Sequence, residues 1–217
     1  MTTSAAGGGN GGTNLLARTA LAGAAFFAAY VLLLPIFSEY TLAGDYISEL
    51  AIGRFGFVQT LAFLAFGIGS LALAVGLRRA TKGSWGSVVG SVLFGLFGVG
   101  VVVDAIFPID RGGMQPETVA GTVHILAALV AFVCAILAMF VLTRTFKQDA
   151  GWQPHWRLSA ALATVALVAF FLPSDGAWAG IFQRLFVGIT IAWMVLTAGG
   201  LRSTSRKASF QQQARVR

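Results

Sequence analysis

Along almost the whole chain, apolar runs about as long as a membrane is thick alternate with short polar segments. Six such runs fall at about 19–37, 57–77, 86–107, 119–142, 158–172 and 181–201, the fifth short and stopped by Pro173. A helical crossing takes about 20 residues, so the pattern predicts an all-α, polytopic bundle of six transmembrane helices as one domain over residues 15–201. Residues 1–14, MTTSAAGGGNGGTN, are rich in Gly, Ser and Thr without periodicity and read as a disordered tail. Residues 202–217 read as a basic cytoplasmic tail. The first run follows Arg18 as a secretory signal would, but it is long for one and no small-x-small cleavage site follows LLLPIF, so it reads as an anchor. Between the first two runs, Tyr40, Tyr46 and Phe55 stand among polar residues, as in a segment lying at the bilayer interface.

Composition fixes the class. The 217 residues are 57% hydrophobic and 11% charged, whereas soluble domains carry about a quarter charged residues. The single cysteine, Cys134, sits inside an apolar run; it allows no internal disulfide and suits lipid-facing or interhelical packing. In the third run, Gly86 and Gly90 form a GxxxG, and Ser87, Ser91 and Gly95 recur every fourth residue. Small residues at that spacing let helices approach closely, within the bundle or between copies in a homo-oligomer. No strand precedes these glycines and no Gly-Lys-Ser/Thr follows, which removes a phosphate-binding loop.

A net charge of +7 would suggest nucleic acid in a soluble protein, but its distribution argues against that partner. Arg18, the turn 78–82, the loop 143–157 and the tail hold twelve of the fifteen Lys and Arg. These segments share one side if the helices alternate, while seven of the eight acids fall on the other. The positive-inside rule then places both termini in the cytoplasm of a multi-pass cell-membrane protein.

Candidate chemistry gathers around residues 98–124, GVGVVVDAIFPIDRGGMQPETVAGTVH. Asp104 lies just before the polar turn and His124 just after it, each inside an apolar run where an ionisable group is costly and so marks a site. At ~1.5 Å per residue both fall roughly 6–8 Å below the turn, at one depth. Arg184 opens the last run at a comparable height, and Ser48 and Glu49 lie in the long loop on the same side. Three readings stay open: acid–base or nucleophilic work on a lipid-like substrate, proton-coupled movement of a solute, and a purely structural clamp. In the first, His124 is the base, Asp104 orients it and Ser48 is the nucleophile; Ser48 is alternatively a helix cap. Arg184, Glu49 and Asp110 are the candidate ligand-binding groups, Arg184 as partner for an anionic head group; Asp110 and Arg111 also suit a surface pair. With His124 alone on that side and His155 on the other, no zinc or bis-histidine haem site is expected, and no cofactor.

Three blocks, YISELAIGRFG with the following run, GVGVVVDAIFPIDRG with TVAGTVHILAALVAF, and GIFQRLFVGITIAW, give the chain over about 20–201 a resemblance to the domain-of-unknown-function 998 family of six-helix prokaryotic membrane proteins. The resemblance implies a Ser-x-Leu loop after the first helix (Ser48, Leu50), a Gly-x-Phe-Pro-x-Asp turn (Phe107, Pro108, Asp110), a His one turn into the fourth helix (His124) and an Arg opening the last (Arg184). Ala105 replaces the Gly of that turn, with Gly100 the nearest upstream. The resemblance implies a fold and these residues but no reaction. The expectation is therefore a six-helix membrane protein whose polar outer-leaflet pocket binds or modifies a lipid-like molecule. A small proton-coupled transporter and a non-catalytic membrane subunit are the alternatives, with enzyme activity undecided.

Overall fold

The computed structural model of the chain describes residues 8–37, 39–81, 83–173 and 176–216, the side chains of 8–10 and 205–216 excepted. Six α-helices follow one another: α1 Gly8–Leu33, α2 Gly56–Ala80, α3 Trp85–Ile106, α4 Val119–Gln148, α5 Trp156–Phe170 and α6 Ala179–Val216, with short 3-10 turns at Leu34–Phe37, Ser48–Ala51 and Gln153–His155. No strand occurs among the described residues. Proline sets several ends, because the residue before it is pushed out of the α region. Thus α1 gives way to a 3-10 turn around Pro35, and α3 stops just before Phe107–Pro108. Serine and threonine set two starts: Ser84 and Thr118 each accept a backbone N–H at 3.0 Å, from Ser87 and Gly121, satisfying donors that the first helical turn leaves open.

Two expected segments differ. Residues 8–14 open α1 instead of belonging to a disordered tail, and 1–7 lie outside the described residues. Residues 202–216 continue α6, whose 38 residues extend about 57 Å, far beyond a hydrocarbon core of about 30 Å.

Consecutive helices pack side by side and α6 closes on α1, making a ring that α2 also crosses to touch α6. One end of the ring, here the basic end, carries Arg78, Arg79, Lys147 and Arg157; the other, the acidic end, carries Glu39, Asp45, Glu49, Asp110 and Glu117. Among the described residues five helices are long and apolar enough to cross a membrane. The sixth, α5, has 15 residues, yet its ends touch opposite ends of the ring. Trp152 stacks on Phe146 with centroids 4.6 Å apart at the basic end, and Phe170 lies 6.2 Å from Phe186 towards the acidic end. With the 3-10 turn before it, α5 covers about 28 Å.

The distribution of polarity is inverted relative to a soluble protein. Leu61, Ile68 and Val75 on α2, Val92, Leu96 and Val99 on α3, and Leu129, Val130 and Leu137 on α4 are exposed, while Gln59, Ser70, Ser87, Thr190 and Thr197 are buried. Apolar belts of that extent on every helix need lipid, not water, around them. This is an integral membrane protein. Glycine brings its helices together: a Cβ on Gly98 would sit 3.0 Å from the Gly67 carbonyl oxygen, and one on Gly100 would sit 2.7 Å from the Ala131 Cβ. Gly86 and Gly90 likewise face Thr145 and Leu142, so the GxxxG of α3 is spent on α4 inside the chain. Cys134 is buried among the helices.

Candidate functional site

His124 and Asp104 meet where α3 ends and α4 begins. The last carbonyls of an α-helix have no intrahelical partner, and Phe107, directly after α3, offers one. His124, on the second turn of α4, uses it: Nδ1 donates to the Phe107 carbonyl at 2.8 Å. A carbonyl only accepts, so the proton is on Nδ1, and in the neutral ring Nε2 is an acceptor. Nε2 is buried and has no hydrogen-bond partner among the described residues. Asp104 Oδ1 lies 3.8 Å from Nδ1, near enough to interact electrostatically but beyond a hydrogen bond, and is itself unpartnered. Asp104 is 5% exposed and His124 2%, and the edge of Phe63 from α2 packs against the imidazole, centroids 6.3 Å apart.

Asp110 takes a different role. Its carboxylate accepts the N–H groups of Glu117 and Thr118 and the Thr118 hydroxyl, each at 2.8 Å. It thereby folds the turn back onto the start of α4, where Gly121 leaves room that a Cβ would lose. Those bonds, from the Thr118 backbone first and its hydroxyl next, hold the Asp110 carboxyl below the usual carboxylate range. Ala105, where the family pattern has Gly, lies within α3; the left-handed residues of the turn are Gly112 and Gly113.

The long loop 39–55 is tied down from three sides. Glu49 accepts the Tyr46 N–H at 2.9 Å and the Gly112 N–H at 3.2 Å, linking this loop to the α3–α4 turn. Gln183 of α6 accepts the Ile47 N–H at 2.6 Å, and Gln59 of α2 donates to the Ile47 carbonyl at 3.3 Å. Arg184 Nη1 donates to the carbonyls of Leu42, Asp45 and Gly180 at 2.6–3.1 Å. Arg184 is thus anchored to the loop backbone and makes no ion pair with Asp104 among the described residues. Ser48 is buried in this loop; it opens the 3-10 turn Ser48–Ala51 without a side-chain capping bond, and no hydrogen bond joins it to His124.

A cavity of about 190 Å³ lies between α4, α5 and α6 at the acidic end. Tyr46 and Ser48 of the loop and Ile109 and Met114 of the turn form its wall on that side; His124 and Gln183 are its other polar members, and the remainder is apolar. A smaller void of about 30 Å³, lined by Asp104, Ser48 and Gln183, sits behind it and shares walls with it. Glu49 lines neither; it faces a wider surface cleft with Arg54 and Arg111. The structure therefore brings His124 and Ser48 to one cavity, sets Asp104 beside His124 at the inner void, and leaves Arg184, Glu49 and Asp110 to the surrounding loops. Gln59 and Gln183, each a polar interruption of an apolar run as visible in the sequence as Asp104, also belong to the site. Among the described residues no three His, Cys, Asp or Glu cluster for a metal ion.

Of the comparisons with known proteins, the family model described as "Protein of unknown function (DUF998)" matches residues 20–200. No curated protein and no solved structure matches the chain.

Proposed function

Because the chain belongs to the DUF998 family, whose description names no activity, we propose its function from the site: it binds a lipid-like molecule in the cavity between α4, α5 and α6. In this reading the acidic end faces outward and both termini lie in the cytoplasm, which the charge distribution supports. The supporting observation is the cavity itself: apolar walls within a membrane-embedded bundle, with His124, Ser48 and Gln183 as the few polar groups that orient an occupant. Asp104, beside the imidazole, biases its electrostatics, while Arg184, Glu49 and Asp110 hold the walls.

Ala128 lines both the cavity and the void behind it, so Ala128→Phe puts a larger apolar side chain into that space without removing a polar group. Native mass spectrometry of the purified protein is expected to show lipid bound to the wild type and lost from Ala128→Phe. Equal retention by both would remove the cavity as the binding site.

A further inference from the structure

We propose that the wide cleft at the acidic end seats the head group of a zwitterionic phospholipid, its phosphate against Arg54 and Arg111 and its ammonium against Glu39. This site is separate from the cavity between α4, α5 and α6 and does not depend on it. The cleft has a volume of about 620 Å³ and is walled by the end of α1, the loop 39–55 and the α3–α4 turn. That is within the roughly 300–1,000 Å³ of sites that take small molecules. Both signs of charge gather in it, Arg54 and Arg111 with Glu39, Asp45 and Glu49. Tyr40, whose hydroxyl donates to the Ile52 carbonyl, lies within electrostatic reach of Arg111, Glu49 and Asp45.

Opposite charges in one cleft ordinarily pair, and these do not. Asp45 accepts the N–H and the hydroxyl of Thr41 at 2.6 and 2.9 Å, and Glu49 accepts the N–H groups of Tyr46 and Gly112. Among the described residues neither guanidinium has a hydrogen bond or an ion pair, and Glu39 has none either. Arg54 lies over the Phe55 ring, 5.5 Å from its centroid. Each guanidinium therefore keeps its fork of N–H donors, the arrangement that matches phosphate oxygens. Arg54, Arg111 and Glu39 are all exposed, so a ligand reaches them without opening the fold.

The signs decide among head groups. A purely anionic head would meet three carboxylates and a purely cationic one two guanidiniums, each with like-charge repulsion. A head that carries both charges matches both sets. The apolar members of the cleft make the ligand a lipid. Leu34, Phe37 and Phe55 line it where α1 ends and α2 begins, Phe37 and Phe55 being exposed. Aromatic side chains beside charges at the ends of membrane helices mark the level of lipid head groups. From there acyl chains run along the exposed Leu32 and Leu33 of α1.

Because the cleft is open, detergent removes its lipid during purification, and titration followed by native mass spectrometry reads the site. The full chain in detergent is titrated with dimyristoylphosphatidylethanolamine, dimyristoylphosphatidylglycerol and dimyristoylglycerol, which share their chains and differ in head. Glycerophosphoethanolamine supplies the zwitterionic head without chains. The phosphatidylethanolamine is expected to bind at least about threefold more tightly than the other two lipids and about tenfold more tightly than the chainless head. Arg54→Gln combined with Arg111→Gln is expected to weaken it about three- to tenfold, the range of two exposed charge pairs. Glu39→Gln removes its advantage over the phosphatidylglycerol, and Ala128→Phe, which alters the other cavity, keeps it. A wild type without the preference overturns the proposal, as does a preference that survives the arginine substitutions. Equal binding of the chainless head overturns a lipid as the ligand. A preference lost in Ala128→Phe but kept without the two arginines moves the head to the cavity between α4, α5 and α6, against this site and in favour of that one. Purified wild type that carries no lipid, yet shows the preference on titration, sinks the cavity reading and leaves this site standing.

Discussion

Asp110 and His124 show how differently a single polar residue acts according to what lies around it. Asp110 is a surface carboxylate saturated with donors, and its pKa is lowered because the folded turn prefers its charged form. A depressed carboxyl contributes stability that is present above its unfolded value of about 3.9 and is lost as pH falls through the folded value. Thermal melts of the wild type between pH 7 and pH 3 are therefore expected to drop at the acid end, and Asp110→Asn to start lower at pH 7 and lose less on acidification. Parallel curves for the two would refute this assignment. His124 lies at the opposite limit: buried, with Nδ1 bonded to the Phe107 carbonyl and Nε2 without a partner among the described residues. Both residues stood out in the sequence, His124 as an ionisable group inside an apolar run and Asp110 as a turn residue suited to a ligand or to a surface pair with Arg111. Their roles did not, because a role depends on which backbone groups come within 3 Å, and Phe107, Glu117 and Thr118 acquire their positions only when the turn closes. Arg184 makes the same point, since three carbonyls of distant or neighbouring residues decide that it anchors a loop.

At the level of the helices, close approach depends on glycine on the faces turned towards another helix and hardly on the rest. A methyl at Gly100 meets Ala131 Cβ at 2.7 Å and the Ala127 carbonyl oxygen at 3.2 Å, whereas Gly188 of α6 has no neighbour within 4 Å of such a methyl among the described residues. Gly100→Ala is expected to cost about 1–3 kcal/mol by overpacking, and Gly188→Ala to change stability by less than about 0.5 kcal/mol. Thermal aggregation of the two variants in detergent separates them; a harmless Gly100→Ala would mean that α3 and α4 are less tightly apposed. The helices themselves were readable to within a few residues from the apolar runs, because length and polarity suffice where lipid is the solvent. The start of α1 was not: Gly8–Gly12 favours coil by composition, and its helix continues one already set by the apolar residues that follow. Inside the ring an aromatic series runs from Phe63 through Phe27, Phe66, Phe97, Phe94, Trp193 and Phe146 to Trp152, with successive centroids 4.6–6.5 Å apart. Each such pair adds about 0.5–1.5 kcal/mol, and nothing in the linear order of the chain announces the series, whose members come from five helices and a loop.

For the molecule as a whole, the two ends of the ring differ in charge, and the proposed orientation rests on that asymmetry. Cys134 is buried and is the only cysteine, so Cys134→Ala gives a background for placing single reporters. Glu117→Cys at the acidic end is expected to react with an impermeant maleimide on intact cells, and Gln148→Cys at the basic end only after permeabilisation; the reverse pattern would invert the topology. The loop over the acidic end also bears on how the cavity is filled. Glu49, Gln183 and Arg184 fasten that loop to the α3–α4 turn and to α6. If the proposed lipid-like occupant reaches the cavity between helices, it comes from the bilayer, in which amphiphiles are already concentrated. Occupancy is then governed by mole fraction in the membrane and not by concentration in water, and a site of modest intrinsic strength stays filled wherever its ligand is a common membrane constituent.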